Sequence, residues 1–157
     1  MDYSLPVFLA HAIALEQEAA ERYLELADMM EAHRNDEVSQ LFRDMVRFSL
    51  MHHDSIVDRS QGIALPEMHP RDFLWSAPPE AGGDEAFDYT LDAYNALRYA
   101  RENEQRAHDY YADVGRHSID PEVKRLAEEF ATEEAEHVAA LDEWLARTPF
   151  QSTPGAS

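Results

Sequence analysis

GIALPEMHPRDFLWSAPPEAGGD, residues 62–84, holds four prolines and three glycines and interrupts an apolar spacing that is helical almost everywhere else in the chain. Proline lacks the backbone donor and clashes within a helix, and glycine weakens one, so this stretch is a connector. Working outward toward the N-terminus, two helices are expected. Ser4 with Pro6 opens the first, which closes at the polar break EAHRND near His33. Asn35 or Asp36 caps the second, which runs to about Ser60 with Gly62 just beyond as a stop. On the other side, Asp84 is expected to cap a third helix reaching about His117. Asp120-Pro121, a cap followed by proline at the first helical position, opens a fourth that stops before Pro149.

Connector lengths then set the topology. Helices of this size are roughly 40 Å long at 1.5 Å per residue. The links between the first and second helices and between the third and fourth are short, which makes each pair antiparallel neighbours. About twelve extended residues at ~3.3 Å each suffice to run back along such a helix, and the middle connector exceeds that. The expectation is an all-α four-helix bundle with one long crossover, residues 61–84, within a single domain over 1–148. Residues 149–157, ending QSTPGAS, are expected to be a disordered tail. A plain bundle with an unattached loop is the alternative topology.

Composition narrows the partners. With 157 residues the chain has the length of one domain. Its 32 acidic against 13 basic residues give a formal charge of −19, which argues against nucleic acid or an anionic membrane and favours cations. The absence of cysteine excludes disulfides and thiolate chemistry and fits a reducing cytoplasm. The N-terminal segment has no basic n-region, and His11 and Glu16 interrupt its apolar residues, so neither a signal peptide nor a membrane span is expected.

The two halves repeat one another. LEQEAAERYLELA in the first helix aligns with ENEQRAHDYYADV in the third, placing Glu16 on Glu104 and Tyr23 on Tyr111 at an offset of 88. LFRDMVRFSLMHH aligns with LAEEFATEEAEHV at an offset of 85, placing His52 on His137 and Ser49 on Glu134. His52 and His53 point about 100° apart on a helix. The alignment makes His52 the inward one, on a stripe with Leu41, Met45, Ser49 and Ile56, and sends His53 to the flank. Glu134 and His137 lie one turn apart on a face shared with Phe130 and Leu141.

Several carboxylates in one bundle core repel each other and lose hydration, which costs several kcal/mol each unless a cation joins them. Inward glutamates from two helices with Glu-x-x-His on the others is the ligand arrangement of di-metal carboxylate bundles, and oxygen with imidazole suits iron or manganese rather than calcium. A hydrogen-bonded polar cluster without metal is the bland alternative.

These residues resemble the rubrerythrin branch of the ferritin-like superfamily. The likeness covers about 10–60 and 88–146 and rests on E-x-x-A-x-x-x-Y at 16–23 and 104–111 with E-x-x-H at 134–137. It implies a ferritin-like fold, with Glu16, His52, Glu104, Glu134 and His137 as ligands of a di-iron centre; manganese or zinc could occupy the same donors. It further implies peroxide reduction or ferrous iron oxidation, with peroxide or oxygen as oxidant, and a homodimer. By the same resemblance Glu134 bridges both ions while Glu16 and Glu104 each hold one. Two departures stand out. Ser49 occupies a position where the family has glutamate, which leaves an open bridging edge. The chain also lacks the four-cysteine electron-donating domain of full-length rubrerythrins, so a peroxidase would need an external donor. The competing expectation is a non-catalytic metal-binding or structural bundle degraded at Ser49. His108, four residues after Glu104, is a candidate extra ligand or supporting group. Tyr23 and Tyr111 are candidates for hydrogen bonds to the ligands or for carrying an electron, with core packing and a tied hydroxyl as the plainer role. Phe73 and Trp75 are expected to pin the crossover or to line a dimer contact.

Overall fold

The computed structural model describes residues 4–68 and 91–148. Four helices follow in order: α1 (Leu5–Ala32), α2 (Asp36–Arg59), α3 (Ala93–His117) and α4 (Pro121–Arg147). Local chemistry sets their ends. The Asn35 side chain accepts from the Val38 N–H at 3.1 Å, and the Asp120 carboxylate accepts from the Glu122 N–H at 2.9 Å, satisfying donors that a helix start leaves free. Arg34, in the left-handed region at φ 61°, turns the chain between α1 and α2. Gly62 follows α2 at φ 82°, a conformation that needs glycine.

One boundary differs from expectation. Leu91 and Asp92 are not helical, so α3 begins at Ala93 rather than just after Asp84. The reason is the cap: the Asp92 carboxylate accepts from the Asn95 N–H at 2.8 Å, and the first buried helical residues, Ala96 and Leu97, come directly after it. Asp84, Phe73, Trp75, most of the crossover and the tail from 149 onward lie outside the described residues.

The core fixes the directions of the helices. One apolar cluster joins Tyr23, Leu26 and Met30 of α1 to Phe42 and Met45 of α2, Leu97 and Ala100 of α3 and Leu141 of α4. A second joins Phe8 and Ala12 to Ile56, to Tyr111 and Val114, and to Val123, Leu126 and Phe130. The start of α2 thus lies level with the start of α3, and their ends lie level at the other cluster, so these two helices run in the same direction. Two successive helices that run in the same direction demand a connection that returns the whole helix length, which is the crossover expected from residues 61–84. The two hairpins, α1–α2 and α3–α4, form an all-α ferritin-like bundle. Between the two apolar clusters lies the level of Glu16, Ser49, His52, Glu104, Glu134 and His137. Among the described residues no helix is long and apolar enough to cross a membrane.

Candidate metal centre

Three carboxylates lie at the middle of the bundle: Glu16 is 4% exposed, Glu104 4% and Glu134 3%. Helical spacing put them there. Each lies one or two turns from residues in both apolar clusters, so burying Ala12 and Tyr23 on α1, or Phe130 and Leu141 on α4, buries the glutamate between them. The ion pairs these three make among the described residues are with His52 and His137, not with lysine or arginine.

The donors fall into two groups. Glu16, His52 and Glu134 offer ligand atoms that all lie within 4.8 Å of one another, and so do Glu104, Glu134 and His137. Glu134 belongs to both. His52 Nδ1 is 2.8 Å from Glu16 Oε1, while His137 Nδ1 is 3.4 Å from Glu104 Oε2 and 3.4 Å from Glu134 Oε2. Both imidazoles therefore turn Nδ1 inward, and the ring of Phe130 packs edge-on against His52 at 4.5 Å between centroids.

Burial and the neighbouring Glu104 charge push the Glu134 carboxyl well above the ordinary carboxylate range. Burial also opposes ionisation of Glu104, but hydrogen bonds from Glu134 and His137 outweigh it and hold that carboxyl below its usual value. The opposite signs are two sides of one interaction between neighbouring carboxyls. Burial lowers both histidines, yet hydrogen bonds to Glu16 and Glu104 respectively carry them above the usual imidazole value.

The supporting groups are unequal on the two sides. The Tyr23 hydroxyl, fully buried, donates to Glu104 Oε1 at 2.6 Å, so it both packs in the core and ties the Glu104 carboxylate. Its counterpart Tyr111 is equally buried, but its hydroxyl has no partner among the described residues. Tyr111 lines a cavity of about 10 Å³ with Glu16, Glu104, Glu134 and Asn103, close to the space one water occupies. Ser49 is buried at 3% exposure and belongs to neither donor group. His108 is not brought to the centre: its Nδ1 lies 3.1 Å from Asp109 on its own helix, and neither donor group includes it. One residue escaped sequence reasoning. Glu133, half-buried on α4, places Oε2 3.0 Å from His52 Nε2. The signal for it was available in the repeat, because Glu133 aligns with Phe48, directly before the Ser49–Glu134 mismatch.

A buried set of three carboxylates and two inward imidazoles, an orphaned hydroxyl and a water-sized cavity fits a pair of divalent ions. The family model described as Rubrerythrin matches residues 8–77, which span α1 and α2. The solved structure of an uncharacterized conserved protein from Magnetospirillum magnetotacticum MS-1 is similar to the chain at 56% identity, covering 96% of this chain and 99% of that one, with a TM-score of 0.89. The chain belongs to the rubrerythrin-like family of ferritin-like proteins. None of the curated proteins is a match. Because the rubrerythrin match ends at residue 77, the roles of Glu104, Glu134 and His137 rest on the repeat and on the geometry above.

Proposed function

We propose that this rubrerythrin-like chain holds two iron ions between its hairpins, with manganese as the second choice, and that it oxidises ferrous iron or reduces peroxide. The observation that carries the reading is Glu134, a buried carboxylate common to both donor groups. Glu16 and His52 would hold one ion and Glu104 and His137 the other, with Glu134 available to both. When bound, iron would supply the redox chemistry by passing between its ferrous and ferric states. The chain's own residues do the rest: Tyr23 holds the Glu104 carboxylate, and the two apolar clusters keep bulk water from either end. Electrons for peroxide reduction come from an external donor. The charge of −19 supports cations rather than nucleic acid as partners, the absence of cysteine supports a cytoplasmic location, and kinship with rubrerythrins supports a homodimer.

A specific observation favours a second reading, a metal-binding protein without catalysis: Ser49 leaves the centre one carboxylate short. One experiment separates the two. Protein loaded anaerobically with ferrous iron is exposed to oxygen or peroxide while its near-ultraviolet absorption is followed. Rapid ferric absorption, absent from protein without Glu134, supports the redox reading. Bound iron that stays ferrous supports the second.

A further inference from the structure

The two halves of the centre differ at a pair of positions related by the internal repeat. At an offset of 85, Phe48 on α2 corresponds to Glu133 on α4 and Ser49 to Glu134. Each of the first pair meets the histidine of the opposite half. Phe48 stacks on the His137 ring, with centroids 6.3 Å apart and planes at 25°. Glu133 instead brings a carboxylate oxygen within 3.0 Å of the outer nitrogen of His52, while the inner nitrogen faces Glu16 at 2.8 Å. That outer nitrogen is buried and has no aligned hydrogen-bond partner among the described residues, so the close oxygen is in reach but off the N–H direction. Glu133 has a half-exposed, unbranched side chain, free to rotate into line.

Resting on the two-ion reading above, we propose that Glu133 is a positioning residue for the centre. Its carboxylate takes the Nε2–H of His52, fixes Nδ1 as the metal-facing nitrogen, and supplies the negative charge missing at Ser49, so the Glu16–His52–Glu134 position binds a divalent ion more tightly than the Glu104–His137–Glu134 position.

Three independent features point the same way. A carboxylate behind a ligating imidazole sets its tautomer and raises its basicity. At His137 the repeat-related residue is Phe48, which stacks on the face of the ring and offers neither. Two divalent ions exceed the charge of Glu16, Glu104 and Glu134 by one, and Glu133 cancels that excess beside the His52 position. Finally, the Tyr23 hydroxyl donates to Glu104 at 2.6 Å and draws density from that ligand, whereas the Tyr111 hydroxyl makes no such bond to Glu16.

The test is a titration of the metal-free full chain with manganous ion, with free ion counted by electron paramagnetic resonance. A parallel titration with diamagnetic zinc is read on the imidazole ¹⁵N resonances. The wild type should bind two ions in resolved steps, and the first equivalent of zinc should shift Nδ1 of His52 before that of His137. Glu133→Gln should weaken the first step about 10-fold or more, the effect typical of losing an outer partner of a ligand, and leave the second nearly in place. Glu133→Asp should restore part of the separation, and Phe48→Glu, giving His137 its own carboxylate, should tighten the second step. Melting of the metal-free variants checks that they fold. Two equal steps in the wild type, first occupancy at His137, or a Glu133→Gln protein with unchanged steps overturns the proposal while leaving the two-ion centre intact. Failure of the wild type to bind manganese, zinc or ferrous ion removes the centre itself, and this inference with it.

Discussion

Replacing Glu134 by glutamine exchanges one oxygen for an amide nitrogen in a side chain that is 3% exposed and that both metal positions share. The amide keeps the volume and can donate to Glu104 as the protonated carboxyl does, so the metal-free fold should survive. An amide carries no charge, however, and does not bridge two cations. A ligand that binds only the folded state, present at a hundred times its dissociation constant, stabilises by about 2.7 kcal/mol. For a chain of this length, each kcal/mol moves the midpoint by about 2–4 °C, so metal should raise the wild-type Tm by about 5–11 °C. In Glu134→Gln that rise should vanish. Glu16→Gln and Glu104→Gln each remove a ligand from one position only and should keep part of it. Without metal, Glu134→Gln should melt at or above the wild type, because it no longer carries a carboxyl that resists ionisation in the core. The assay is anaerobic scanning calorimetry at neutral pH with and without ferrous ion. A Glu134→Gln protein that keeps the full metal-induced rise, or equal losses in all three variants, refutes the bridging role.

Ser49→Glu should restore a fourth carboxylate at the centre, slowing chelator extraction of the second ion. Without metal it should cost on the order of a few kcal/mol in urea unfolding, and a destabilised variant that retains no more metal would contradict the open-edge reading. The metal-free protein should lose stability as pH rises above about 4.5, and more steeply above about 6.5: Glu134, His52 and His137 all hold protons more tightly folded than unfolded, so each contribution is full below the group's ordinary pKa, 4.5 for the carboxyl and 6.5 for the imidazoles, and is gone once pH has risen through the folded value. Glu104, shifted down, acts oppositely and only below about 4.5, so urea midpoints should fall from pH 4.5 upward and the stabilisation by metal should grow over the same range. Tyr23→Phe removes a buried donor at 2.6 Å from a carboxylate and should cost about 1.5–3 kcal/mol of metal-free stability, measured by urea unfolding.

The bundle was legible because its signals are local and repeated. Asn35 and Asp120 cap where their positions suggested, Gly62 takes the positive φ that a stop requires, and the length of the 61–84 connector implied the common direction of α2 and α3 that the core clusters display. Asp84 misled because several aspartates precede the third apolar stripe, and capping strength depends on which carboxylate meets a free N–H; Asp92 does. At the centre, the repeat aligned Glu16 with Glu104 and His52 with His137, and helical spacing put each on the inward face of its helix. It could not give the contacts across helices. Tyr23 reaches Glu104 on α3 rather than a group on its own helix, and Glu133, beside a stronger motif residue, reads in sequence as one more solvated acid until α2 brings His52 against it.

The central claim, two ions sharing Glu134, is tested most directly by native mass spectrometry of the chain loaded anaerobically with ferrous iron. The account predicts two ions per wild-type chain and none retained by Glu134→Gln. Wild-type protein that carries no iron after loading, or Glu134→Gln protein that carries two ions, would contradict it.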